Sequence, residues 1–106
     1  MNVIDTKNWY ARINKMPGTE GPTFIVSGTI IVANSAVEAT LVMPALQDKS
    51  LGVRLEVVLE DKGVGLTVLT DKAVSLSLPG YAEVTHVQVF HDEKELVRID
   101  NIEIVS

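Results

Sequence analysis

The sequence predicts an all-β fold, and three observations carry that expectation. Val, Ile and Thr supply 32 of the 106 residues, and such β-branched side chains are stiff at χ1 and pack well on a pleated surface. Apolar and polar residues alternate along much of the chain, with the two-residue period of a half-buried strand. Asn, Asp, Gly and Pro punctuate the alternation at roughly 8–12 residue intervals, as in sandwiches and barrels. The expected architecture is one domain over residues 1–106: an antiparallel β-sandwich of about seven to eight strands, immunoglobulin-like in its general layering. A small closed barrel is the alternative.

Eight strands are expected. The first spans about Trp9 to Asn14, where Trp9, Ala11 and Ile13 alternate with Tyr10, Arg12 and Asn14. The second, about Thr23 to Ala33, is apolar on both faces at Phe24-Ile25-Val26 and Ile30-Ile31-Val32, which predicts a central, covered position. The third puts Val37, Ala39, Leu41 and Met43 on one face, with Glu38 and Thr40 on the other. The fourth has the cleanest period: Val53, Leu55, Val57 and Leu59 face inward, and Arg54, Glu56 and Glu60 outward. The fifth is expected over Val64 to Thr70. The sixth alternates Val74, Leu76 and Leu78 with Ser75 and Ser77. The seventh runs over Ala82 to His91, and the eighth over Leu96 to Val105.

The joints carry turn chemistry. Asn34-Ser35, Asp61-Lys62-Gly63, Asp71-Lys72 and Asp92-Glu93 separate successive strands. Asn, Asp and Gly favour turns by bonding nearby backbone or by accepting positive φ. Pro79-Gly80 and Met16-Pro17-Gly18 suit type II turns, Pro presetting φ and Gly taking the positive φ that follows. The best remaining helical stretch, Asp92 to Ile99, is short and ends among β-branched residues.

Composition bounds the function. A chain of 106 residues buries roughly two-thirds of its unfolded surface, enough for a core without staples. Lys plus Arg is 9 and Asp plus Glu is 14, a net charge of −5. That balance argues against a nucleic-acid partner and against attachment to an anionic membrane. The 46% apolar content excludes a disordered chain. No Cys is present, so disulfides and thiolate metal sites are excluded and the redox compartment stays open. No apolar run approaches the ~20 residues of a membrane span. Met1 to Tyr10 lacks the basic-then-apolar pattern of a signal peptide, so a cytoplasmic location is the default expectation.

A search for catalytic chemistry returns little. His86 and His91 lie five apart on one expected strand and so point to opposite faces, which predicts no shared metal. His91-Asp92-Glu93 reads as a solvated turn. An Asp92-Glu93 loop would place His86 opposite Ile99. Glu56 and Glu60 share a face at ~13 Å along a strand, beyond the roughly 5–10 Å of a glycosidase pair. Arg98 and Asp100 share a face and could pair with each other, breaking an apolar strand in the manner that guards an edge against aggregation; the alternative is a polar patch used for contact. Ser27, Ser75 and Ser77 lack a Gly-x-Ser-x-Gly elbow. The dinucleotide and phosphate-loop fingerprints are absent. Neither a cofactor nor a metal is expected. Five aromatics, Trp9, Tyr10, Phe24, Tyr81 and Phe90, are too few and too scattered for a carbohydrate platform.

The expectation is therefore a non-enzymatic protein-interaction or structural module, with another copy or a different protein as partner. Val42, Val58 and Leu69, on the expected outer faces of three strands, would make an exposed apolar patch of the kind that marks contact sites. Two alternatives stand beside it. One is a ligand-binding or inhibitor-like module using a loop, the foremost being Lys15-Met16-Pro17-Gly18-Thr19-Glu20-Gly21-Pro22, with Pro44 to Ser50 and Leu78 to Ala82 beside it. The other is a small enzyme built on a polar site of His86, Arg98 and Asp100, where His86 with Asp100 or Glu83 is the only acid–base set.

Overall fold

The computed structural model describes residues 3–15, 22–44, 52–79 and 84–105. Among them are eight strands: β1 (Asp5–Asn14), β2 (Thr23–Val32), β3 (Val37–Val42), β4 (Gly52–Asp61), β5 (Thr70–Pro79), β6 (His86–His91), β7 (Lys94–Ile99) and β8 (Glu103–Val105). They form two four-stranded sheets, ordered β5-β2-β1-β8 and β3-β4-β6-β7. Among the described residues neither sheet closes on itself, which removes the barrel alternative.

The alternation read from the sequence sets the faces. On β4, Val53, Leu55 and Val57 are buried, while Arg54 and Glu60 are exposed. On β2, Phe24, Val26, Ile30 and Val32 are buried, and the opposite face (Ile25, Ile31) is half-covered. β2 is central in its sheet, between β5 and β1. Inward side chains of both sheets line one core that joins Ile13, Phe24, Leu55, Val57, Val87 and Val89. Burying each Val, Leu or Phe contributes roughly 1.5–3 kcal/mol.

One core contact explains an irregularity in β1. Its pairing with β2 shifts between Lys7 and Tyr10, and Asn8 takes φ 58°. Two residues then oppose Gly28 in a bulge, and Asn tolerates the left-handed backbone. The Trp9 ring lies over Gly28, where a Cβ would come within 2.2 Å of it.

Several expectations need correction. The pairing is not wholly antiparallel: β1 with β8 and β4 with β6 are parallel. The β4 and β6 pair is joined through β5 in the other sheet, the long crossover that a parallel pair requires. β1 begins at Asp5, earlier than its apolar residues suggest. β6 begins at His86, and the expected start at Ala82 lies outside the described residues. The stretch from Leu96 to Val105 is not one strand. It breaks at Asp100–Ile102, with β7 in one sheet and β8 in the other. Asp71-Lys72 is no turn; both residues sit inside β5, opposite Ile31 and Ile30. The Asp92-Glu93 turn is present, with φ 51° and 66° as a type I′ hairpin needs. A register shift at Val89/Phe90 leaves Leu96 as the extra residue, so Ile99 faces Val87, not His86.

Candidate functional site

The largest departure from expectation is also the most informative surface. No strand forms over Val64 to Leu69; β4 ends at Asp61 and β5 starts at Thr70. The intervening segment crosses from one sheet to the other. The Val68 N–H donates to the Leu66 carbonyl at 3.0 Å, a three-residue turn that interrupts the two-residue period.

The segment is nevertheless held. Its anchor is the turn between β2 and β3, itself fixed by Asn34 Oδ1 accepting from the Ala36 N–H at 2.8 Å. Ser35 donates its N–H to the Leu66 carbonyl at 3.0 Å, and its Oγ accepts from the Leu66 N–H at 2.8 Å. The Lys62 N–H donates to the Ala36 carbonyl at 3.0 Å. Lys72 Nζ donates to the Ser35 carbonyl at 3.1 Å. Gly65 lies so close that a Cβ would meet the Ala36 nitrogen at 2.6 Å.

With Leu66 held at that turn through both its N–H and its carbonyl, the segment turns its side chains outward. Val64 is fully exposed, Leu66 and Leu69 are each 70% exposed, and Val68 50%. Four large apolar side chains within six residues exceed the scattered single exposures that need no explanation. Charges close both ends. Lys62 pairs with Glu60 at 3.1 Å, and Asp71 with Lys7 at 2.8 Å. The hydrogen bond to Glu60, and then its negative charge, hold the Lys62 ammonium above the ordinary lysine value.

The expected apolar patch is thus redistributed. Val58 is 45% exposed and Val42 half-buried on the outer face of β3-β4-β6-β7. Leu69 belongs to the crossing segment instead.

The expected polar site is only partly assembled. Arg98 Nε donates to Asp100 Oδ1 at 2.8 Å, as the sequence suggests. Arg98 stands opposite Gln88 on β6. His86 is half-buried at the start of β6, opposite Gly52. Its ring lies where a Gly52 Cβ would meet Nε2 at 2.1 Å, and its Nδ1 is 3.0 Å from Thr85 Oγ1. Glu83 lies outside the described residues. On the same face Arg54 covers the Phe90 ring at 4.0 Å, a cation–π contact. Of the expected loop, Lys15 is exposed and donates its N–H to the Val105 carbonyl at 2.7 Å, and Pro22 is half-buried. Met16, Pro17, Gly18, Thr19, Glu20 and Gly21 lie outside the described residues, as do residues 45–51 and 80–83.

His91 is better held than a solvated turn implies. Nδ1 lies 2.9 Å from the Val57 carbonyl and must donate to it. Nε2 is buried and has no partner among the described residues. A cleft of about 460 Å³ opens beside it, lined by Val3, Ile4, Asp92, Lys94 and Leu96. Among the described residues, no group of three His, Asp or Glu side chains is placed to hold a metal ion.

Comparison with known protein families, curated proteins and solved structures gives no match to this chain.

Proposed function

We propose that the chain is a non-enzymatic protein-interaction or structural module whose contact surface is the segment 62–69. Its scaffold is read as a two-layer sandwich, immunoglobulin-like in layering although β4 rather than β3 lies beside β6. The observation that carries the reading is the set of four outward apolar side chains on a backbone pinned to the Asn34–Ala36 turn. A surface held in place before contact loses little entropy on binding. The polar face supports an enzyme less well. Asp100 is engaged by Arg98, and the His86 imidazole meets the Thr85 hydroxyl instead of Asp100.

Two assays with wild type and Leu66→Asp test this reading. Light scattering at tens of micromolar reads self-association. A pull-down from host lysate reads other partners. The expected result is an association, of either kind, that Leu66→Asp abolishes while the melting temperature holds. Absence of any association, or one indifferent to Leu66→Asp, overturns the proposed surface.

A further inference from the structure

We propose that the partner of this surface is a second copy of the same chain, docked about a two-fold axis beside Leu66 and Thr67. The inference rests on the reading of 62–69 as a contact surface and adds its occupant. Charge order argues for it. The apolar run is bracketed by the exposed Lys62 before and the exposed Asp71 after. A two-fold axis at the middle of the run brings the exposed Lys62 of each copy against the exposed Asp71 of the other. It also brings Val64 to Leu69. A same-direction approach sets Lys62 against Lys62 and is repelled, so the charges choose one orientation. Isologous contact of this kind closes at two copies.

Net charge argues the same way. Two chains of −5 repel as bodies. The charges of Lys62 and Asp71 sum to zero, so this strip is a place where two copies meet without adding to that repulsion. The present pairs, Lys62 with Glu60 and Asp71 with Lys7, are solvent-exposed at all four side chains. Exposed pairs are weak enough to share or exchange partners. The area suits a weak, transient contact. Four such side chains offer roughly 400 Å² per copy; with the bracketing charges, two copies approach the roughly 1,000 Å² of a specific interface.

The test reverses one charge at a time. Lys62→Asp sets two carboxylates against each other at both ends of the dimer, and Asp71→Lys sets two ammonium groups there. Mixed together, the two variants restore opposite charges at both ends. Light scattering over a concentration series is expected to show a wild-type dimer at tens of micromolar. Each variant alone should dissociate at least about tenfold more readily, and the equimolar mixture should recover the dimer. Melting temperatures near wild type show that each variant folds; for a variant that does not, Lys62→Ala and Asp71→Ala replace the pair, each expected to weaken the dimer without repulsion. A wild-type dimer insensitive to both reversals, or weakened but not rescued by mixing, overturns the two-fold contact. A wild-type monomer overturns the second copy as partner. In that case a lysate protein lost with Leu66→Asp still supports the contact surface, which keeps the two failures apart.

Discussion

β4 and the segment that follows it are built from much the same residues and end in opposite environments. β4 carries Val53, Leu55 and Val57 with exposures of 4%, 0% and 1%. A few residues on, Val64, Leu66 and Val68 stand at 106%, 70% and 50%. The difference lies in neighbours. β4 has β3 on one side and β6 on the other, and the other sheet beneath it. Among the described residues, the crossing segment is held by the Asn34–Ala36 turn, which bonds the backbone of Lys62 and Leu66 and leaves the apolar side chains outside. Apolar alternation therefore marks a surface that needs a cover, and on β4 the fold supplies it. For 62–69 the proposed cover is another copy.

That contrast breaks most easily at β4. Leu55→Ala is expected to cost about 2–5 kcal/mol, a large part of a total on the order of 5–15 kcal/mol. Urea denaturation reads this directly. Gly28→Val pushes a branched side chain into the Trp9 ring and should cost about 1–3 kcal/mol by overpacking. A shift in Trp fluorescence should accompany it, since Trp9 is the one tryptophan. Ser35→Ala removes the acceptor for the Leu66 N–H and should cost about 1 kcal/mol or less. Its larger effect should be on association, because the segment loses an anchor. Leu66→Ser should change monomer stability by no more than about 0.5 kcal/mol while weakening self-association. If Leu66→Ser proves as destabilising as Leu55→Ala, the two regions are not different in kind.

Much of the fold is legible in the sequence because burial is enforced residue by residue. On β4 the alternation of Val53, Leu55 and Val57 with Arg54 and Glu56 has one solution that keeps the charges wet. The Asp92-Glu93 hairpin is legible because its turn chemistry is local. The parallel pairing of β4 with β6 is not, since which strands become neighbours depends on contacts far apart in sequence. The break at Asp100–Ile102 is half-visible: Arg98 and Asp100 mark it and pair as expected, but nothing in the residues announces the change of sheet. The stretch from Val64 to Thr70 reads as a strand because Val64, Leu66 and Val68 have a strand's period. Gly63 and Gly65, which weaken a strand interior, are the signal against it. His91 reads as part of a solvated turn because nothing local reveals that its ring reaches the Val57 carbonyl.

The most direct measurement is amide hydrogen exchange at two protein concentrations, one well below and one well above the association midpoint. Covering of the crossing segment by a second copy predicts slower exchange at high concentration for residues 63–69, with the outer face of β3-β4-β6-β7 unchanged. Exchange at 63–69 that is identical at both concentrations, or protection that appears on that outer face instead, would contradict it.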